Sequence, residues 1–272
     1  MVHLCKAARL SRSGYYKFLS QPSFHAEIDN IIVSEIQRIQ EKTKYTYGYR
    51  RLKIALEQNL GFSINKKKIQ RIQNEYQLHA KTRRRRLKYP QPVFQKEAPK
   101  ENILKRDFTA DAPNEKWVTD ITYIKNGKNR LYMSALMDLH NREIISYRIS
   151  DSLELPFVLE TFEEAFHNYK PNNVIIHSDQ GGHYTSPQFC RLLEKHHAIQ
   201  SMSRRGNCWD NASMENFFGH FKSELIHRIK PMSAVALRQK IDMYIDFYNN
   251  TRIQTKFKMA PVEYRNHLVQ TA

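Results

Sequence analysis

The fold is decided by a strand–turn–strand stretch, residues 117–138, that reads WVTDITYIKNGKNRLYMSALMD. Apolar residues alternate over 117–125, Asn126-Gly127-Lys128-Asn129 is typical of a hairpin turn, and an apolar strand follows. Further patterns predict strands at 143–149, 173–177 and 198–202 and helices at 154–169, 187–197, 211–227 and 233–250, with a tail ending near 261–264. Three strands in a meander, then alternating helices and strands, predict an α/β domain with a mixed sheet.

The front of the chain is predicted to be helical. A turn at 11–14 begins a short helix, and isoleucines at helical spacing predict a helix over 25–42. Tyr47-Gly48-Tyr49-Arg50-Arg51 opens a helix to about Leu60, and Ser63 is the expected N-cap of a lysine-rich helix over 64–77. Two short helices across a glycine turn indicate a helix-turn-helix, although a helical hairpin with solvated lysines fits the same pattern.

Positive charge is concentrated in the front of the chain. The 272 residues carry a net charge of +17. Residues 1–110 hold 24 Lys/Arg and 9 Asp/Glu, a net of +15, which leaves +2 for residues 111–272. This split, together with the run Arg83–Arg86, favours a nucleic-acid-binding front joined to a different module.

Four segments follow from these patterns. We expect a helical DNA-binding region over 1–78, a basic extended linker over 79–113, a catalytic core over 114–230 and a C-terminal helix and tail over 231–272. No run of about 18 apolar residues exists, so no membrane partner is expected. The three cysteines lack paired spacing and no export signal is present, which favours reduced thiols in the cytoplasm.

Three separated acids predict a site for cutting phosphodiesters. Asp120 lies in the middle of the strand 117–124 on a largely buried face, where an unpaired carboxylate needs a cation. Asp179 ends an apolar strand just before Gly181-Gly182, at the strand end where α/β folds place their sites. Two divalent ions that cleave a phosphodiester are held by such carboxylates.

The third acid, Glu215, lies on a predicted helix. At about 100° per residue, Asn211, Glu215, Gly219 and Lys222 share one stripe beside an aromatic face. The stripe would place Lys222 against a phosphate near the metal ions.

Other assignments of the acids remain open. Any one of these acids is by itself more often an ordinary surface group, and Asp138 competes with Asp120. Asp210 is expected to be a loop or cap residue, and Glu224 a solvated helix residue. No Gly-x-Ser-x-Gly motif or phosphate-binding glycine loop supports another chemistry.

These motifs together resemble a known family, the second-frame (OrfB-type) transposases of two-frame bacterial insertion sequences, in the DDE superfamily with retroviral integrases. The resemblance covers nearly the whole chain. It is carried by Ser11-Arg12-Ser13-Gly14-Tyr15-Tyr16, Tyr47-Gly48-Tyr49-Arg50-Arg51, Arg83–Arg86, Trp117-x-x-Asp120-Ile121-Thr122-Tyr123, His177-Ser178-Asp179-x-Gly181, Asp210-Asn211-Ala212 through Glu215, Phe218 and Lys222, Tyr248-Asn249-x-x-Arg252, and Pro261-x-x-Tyr264-Arg265.

The resemblance implies an RNase H-like core in which Asp120, Asp179 and Glu215 bind two Mg²⁺ or Mn²⁺ ions. The implied reaction frees a 3′-OH at an insertion-sequence end and transfers it into DNA. Implied partners are terminal inverted repeats, target DNA and further copies of the chain on DNA, in a bacterial cytoplasm at the nucleoid. The expected DNA-binding residues are Lys222, Arg50, Arg51, Lys66, Lys67, Arg83, Arg84, Arg85 and Arg86.

The chain departs from the family pattern in two places. Gln254 stands where family members usually carry histidine, and the chain begins inside its first helix-turn-helix. The second departure suggests a first-frame protein, or a frameshift fusion with it, as a partner. Two competing functions are a catalytically silent DNA-binding regulator from a decayed element and an RNase H-type nuclease acting on RNA–DNA hybrids.

Overall fold

The computed structural model describes residues 5, 11–20, 24–81, 100–204 and 208–271. Within it the chain divides into two compact units, Met1–Lys81 and Thr82–Ala272. The predicted segment boundaries stay predictions. The arginine run Arg83–Arg86 lies outside the described residues.

The first unit is helical, as predicted. Its helices are α1 (Arg12–Ser20), α2 (Phe24–Lys42), α3 (Tyr49–Leu60) and α4 (Lys66–Glu75). Isoleucine and leucine side chains from α2, α3 and α4 are fully buried, including Ile36, Leu56 and Ile69. Helix α3 ends at Gly61, whose φ of 74° lies in the left-handed region that glycine adopts without strain.

The cap of α4 differs from the prediction. Asn65, not Ser63, is the N-cap, and its side-chain oxygen accepts from the Lys67 backbone N–H at 2.9 Å. Ser63 instead donates its hydroxyl to Glu57 at 2.9 Å. Both residues are good caps, and the contact with Glu57 on the preceding helix decides between them.

The second unit contains the predicted mixed α/β sheet, which is confirmed. Its strands are β1 (Lys116–Asn126), β2 (Asn129–Asp138), β3 (Ile144–Ser150), β4 (Ile175–Ser178) and β5 (Ile199–Met202), in the spatial order β3-β2-β1-β4-β5. The meander β1–β2–β3 is antiparallel, whereas β4 pairs parallel with both β1 and β5. Gly127, at φ 60°, supplies the turn between β1 and β2.

Helices cover both faces of the sheet. They are α5 (Pro156–Tyr169), α6 (Pro187–Lys195), α7 (Ala212–Phe221), α8 (Ala234–Asn250) and α9 (Pro261–Thr271). One hydrophobic cluster joins Trp117 and Ile176 to aromatic and aliphatic residues of α5 and α6. A second cluster joins Val118 and Ile124 to α7 and α8. The alternation predicted for β1 is therefore observed, with odd and even residues entering opposite clusters.

The predicted helix over 211–227 is not continuous. A 3-10 turn at Cys208–Asn211 precedes α7, and a wider π turn occupies Lys222–Ile226. In that turn the His227 N–H donates to the Lys222 carbonyl, five residues back, at 2.9 Å. The turn keeps Leu225 and Ile226 buried in the core. Tertiary packing here overrides the local helical period.

Two further segments also differ from expectation. The predicted tail contains helix α9, which starts at Pro261 because proline suits a first helical position. The described part of the predicted linker, from residue 100, packs on the core: Leu104 is buried, and Ser201 Oγ accepts from its backbone N–H at 3.2 Å. No helix among the described residues is long and apolar enough to cross a membrane.

Candidate active site

Asp120 lies in the middle of β1, on the sheet face that packs against α7. Its even-numbered neighbours on the strand, Val118 and Ile124, belong to the cluster that contains α7. The Ile121 backbone N–H donates to Asp120 Oδ1 at 2.8 Å. The strand therefore places this carboxylate, partly buried, at the interface between sheet and helix.

Asp179 lies beside Asp120 because β1 and β4 are parallel neighbours. The register pairs Val118 with His177, and Asp120 and Asp179 each come two residues after this pair, with Asp179 just beyond the end of β4. The charge of Asp179 acts on Asp120, so the two carboxylates lie in the same part of the sheet. The Gly181 backbone N–H donates to Asp179 Oδ1 at 2.8 Å, and a Cβ at residue 181 would lie 2.9 Å from that oxygen. A side chain at residue 181 would therefore press on the Asp179 carboxylate.

Glu215 is presented from the first turn of α7. The buried side of this helix consists of Met214, Phe217, Phe218 and Phe221, while Glu215 itself is exposed. The Asn211 side-chain amide donates to the Thr119 carbonyl at 3.0 Å. This bond ties the start of α7 to the strand residue next to Asp120.

The electrostatics place the predicted residues in one site. Burial, followed by the charges of Asp179 and Glu215, raises the pKa of Asp120 from its usual 3.8 to about 7. The charge of Lys222 acts in the opposite direction on the same carboxyl. The three acids and Lys222, far apart in the chain, therefore share one electrostatic environment.

Lys222 is half-buried at the point where α7 passes into the π turn. Burial lowers its pKa, and the charge of Asp120 partly offsets that effect. A buried ammonium next to acids is positioned to contact an anionic group that enters the site.

Tyr184 lies five residues after Asp179, and no role was predicted for it from the sequence. It is buried, and its hydroxyl lies 3.2 Å from Thr119 Oγ1. Burial and the nearby acids Asp120 and Asp179 raise its pKa well above the usual 10. The side chain joins the turn after β4 to β1, and this role could not be read from a single tyrosine in a loop.

The competing acids are engaged elsewhere in the described structure. Asp138 is buried and accepts from the backbone N–H groups of Asn114 at 2.8 Å and His140 at 2.9 Å, so it holds a loop together. Asp210 is fully buried, contrary to its expected role as a loop or cap residue. Its carboxylate accepts from the side chains of Arg106 at 2.8 Å and Arg204 at 3.1 Å, which keep its pKa well below the usual range.

Glu224 is also not the solvated residue that was expected. Its two oxygens accept from the Arg252 guanidinium at 2.9 and 2.7 Å, and Tyr244 donates a third hydrogen bond at 3.0 Å. Arg252 is only 1% exposed. Gln254, the departure from the family pattern, is buried nearby and pairs with Met259 through its backbone. The pairing of Glu224 with Arg252 could not be predicted from the local sequence, because the two residues lie 28 positions apart.

Four of the DNA-binding residues expected near the front lie in the first compact unit, whereas Arg83–Arg86 lie outside the described residues. Arg50 and Arg51 are on the first turn of α3, each over a tyrosine ring, Tyr49 at 5.8 Å and Tyr47 at 5.9 Å. Lys66 and Lys67 are exposed on the first turn of α4.

The donor set of the acid site fits hard divalent cations. Among the described residues no three Asp, Glu, His or Cys side chains converge on one point. Mg²⁺ does not require such a cage, since it keeps several waters and uses one or two carboxylates together with substrate phosphates. Burial, and then the charges of the neighbouring acids, raise the pKa of Asp120, and a bound cation would favour its ionised form.

Comparisons with known proteins agree with this geometry. Residues 110–208 and 215–269 each match a family described as an integrase core domain, and residues 27–86 match an HTH-like domain. The putative transposase InsK for insertion sequence element IS150 of Escherichia coli is 37% identical over 268 residues, covering 97% of this chain and 92% of the relative.

A second relative and a solved structure are also similar to parts of this chain. Transposase InsF for insertion sequence IS3A of Escherichia coli is 31% identical, over 92% of this chain and 88% of the relative. The HTLV-2 integrase catalytic core domain, solved in complex with magnesium, matches 56% of this chain and 97% of that chain at 14% identity, with a TM-score of 0.44.

Proposed function

The chain belongs to the second-frame (OrfB-type) transposases of bacterial insertion sequences, which are DDE-type enzymes with an integrase core, and we propose that Asp120, Asp179 and Glu215 are its catalytic residues. The function is DNA transposition. The assignment is supported by the parallel pairing of β1 with β4, which ends next to Asp179, and by the hydrogen bond from Asn211 to the Thr119 carbonyl, which ties the start of α7 to β1 beside Asp120. Acids that instead hold the fold have other partners: Asp210 pairs with arginine side chains, and Asp138 accepts from two backbone N–H groups.

Two divalent ions, Mg²⁺ or Mn²⁺, are proposed as the cofactor. Asp120, Asp179 and Glu215 would hold these ions, because the charges of Asp179 and Glu215 both act on Asp120. When bound, such ions activate the attacking oxygen and stabilise the leaving oxygen of a phosphodiester.

The chain's own residues orient the DNA for two successive displacements. In the first, water attacks a phosphorus at the element's end; the 3′ oxygen leaves and takes a proton, which frees a 3′-OH. In the second, that hydroxyl attacks a phosphodiester of target DNA, and the target's 3′ oxygen leaves. Lys222, half-buried beside Asp120, is proposed to hold a phosphate of the reacting strand in both steps.

The HTH-like domain and the integrase core both act on DNA. We propose that the helical unit binds the terminal inverted repeats, and that several copies assemble on DNA because two ends must be joined. From the two-frame organisation of the family, a first-frame protein or fusion is a further partner. Arg83–Arg86 are proposed to contact phosphates. The proposed setting is the bacterial cytoplasm, at the nucleoid.

One experiment separates the proposed function from its alternatives. A labelled inverted-repeat end is incubated with target plasmid, the protein and Mg²⁺ or Mn²⁺, and joined product is measured. We expect joining by the wild type and none by Asp179→Asn, while the exposed-acid control Asp111→Asn retains joining. Binding without cleavage would instead indicate a silent regulator, and degradation of RNA–DNA hybrids alone would indicate a hybrid nuclease.

A further inference from the structure

We propose that Gln70 and Asn74, on the exposed face of α4, read base edges in the major groove and so determine which DNA end the chain selects. The inference rests on the proposed function, because it takes the helical unit to be the part that binds the element's ends. Helix α4 is the second helix of the helix-turn-helix, the one that enters the major groove in this motif.

The two faces of α4 are sharply different. Ile69, Ile72 and Gln73 are buried against the other helices of the unit. Lys67, Gln70 and Asn74 are exposed, and at about 100° per residue they lie within about 60° of one another on the opposite side. One narrow strip therefore carries a lysine near the start of the helix and two amides further along.

Two cations on this helix, Lys68 and Arg71, are paired with acids within the unit. Asp29 of α2 forms ion pairs with both Lys68, at 2.7 Å, and Arg71. Arg71 also pairs with Glu75 at 2.9 Å. The charges of Lys68 and Arg71 are therefore balanced by acids of the same unit. The strip of Lys67, Gln70 and Asn74 carries only one charge, that of Lys67.

The amides of the strip are available to a ligand. Within the described part of the chain, no hydrogen bond or ion pair engages the side chains of Lys67, Gln70 or Asn74. Asn and Gln side chains pair in a bidentate way with adenine N6 and N7, whereas lysine contacts to phosphate carry no sequence information. Gln70 and Asn74 are thus the base-reading groups, and Lys67 supplies phosphate affinity.

Selection from a random duplex pool tests this division of roles. The full-length protein is used in EDTA, so that chemistry does not interfere, and bound sequences are compared between variants. We expect Gln70→Ala and Asn74→Ala each to lose preference at one or two neighbouring base pairs, by roughly ten- to hundredfold. Lys67→Ala should select the same sequence but bind all DNA more weakly. The slope of the logarithm of its binding constant against the logarithm of salt concentration should be smaller in magnitude by about one.

The controls use exposed residues of the same types on α2. Gln37→Ala and Asn30→Ala should select the wild-type sequence with unchanged preference, and circular dichroism checks that every variant is folded. The inference is overturned if the wild type selects no sequence, if the Gln70 and Asn74 variants retain full preference, or if they weaken all DNA equally. Because EDTA removes catalysis, these outcomes are independent of whether the acid triad joins DNA.

Discussion

The carboxylates of the second unit differ in the charge of their neighbours. Asp120, Asp179 and Glu215 lie together with one lysine, and the pKa of Asp120 rises to about 7. Glu224, only nine residues after Glu215, lies against Arg252 and Tyr244 in a nearly closed network. Glu224 is held in the fold by an arginine, whereas the other three acids act on one another's charge and are suited to binding cations.

The comparison is tested most strongly by paired substitutions on the helical stretch from α7 into the π turn. Glu215→Gln should reduce strand transfer at least about a thousandfold, because a ligand to the catalytic ions is lost. Its free energy of unfolding should stay near that of the wild type. Glu224→Gln should leave strand transfer near the wild-type level and mainly lower the free energy of unfolding. Strand-transfer assays and urea unfolding of both variants check this, and equal losses of activity at similar stability would remove the distinction.

Removing the arginine tests the other side of the comparison. Arg252→Met should lower the free energy of unfolding by about 3–5 kcal/mol, because Glu224 is left buried without its counter-charge. The double variant Arg252→Met/Glu224→Leu should recover much of that loss, as apolar residues replace the whole pair. Urea unfolding measures both, and a double variant as unstable as the single one would contradict this account.

The acid site should make stability depend on pH in metal-free buffer. Since burial raises the pKa of Asp120 from 3.8 to about 7, its contribution is fully present below 3.8 and is lost as pH rises towards 7. Relative to Asp120→Asn, the wild type should lose about 2–3 kcal/mol of unfolding free energy between pH 5 and 7.5. Added divalent ions should restore the unfolding free energy that is lost at pH 7.5. Asp111→Asn, at an exposed acid, should track the wild type at both pH values.

A surface ion pair should show the smallest effect. Arg148 and Glu164 are joined at 2.7 Å, but their side chains are 39% and 35% exposed. Arg148→Met should lower the free energy of unfolding by less than about 1 kcal/mol. A loss as large as that of Arg252→Met would show that burial is not what separates the two pairs.

Much of the site was predictable because its signals are local. The alternation in 117–125 placed Asp120 on the correct face, and the aromatic period around Phe217 placed Glu215 at the edge of a packed helix. The strands and most helices agree with the prediction within a few residues. Hydrophobic periodicity and turn residues are patterns within fewer than ten neighbouring positions, so they can be read from the sequence alone.

The failures concern residues whose surroundings come from distant parts of the chain. Asp210 was expected in a loop, yet its partner Arg106 is 104 residues away. Glu224 was expected in solvent, and the π turn was expected to be regular helix. For Asn65 and Ser63 the deciding contact was with the preceding helix. In each case packing, rather than propensity, determined the outcome.

By itself, the sequence determined the order of the elements, the face on which each acid lies and the basic character of the front, because these depend on neighbouring residues and on composition. Tertiary structure alone decided which acids meet one another and which meet arginine. The parallel register of β1 with β4 brings Asp179 beside Asp120, and the return of the chain after α8 brings Arg252 to Glu224. A charge's role depends on what lies within a few ångströms of it, and folding sets those neighbours.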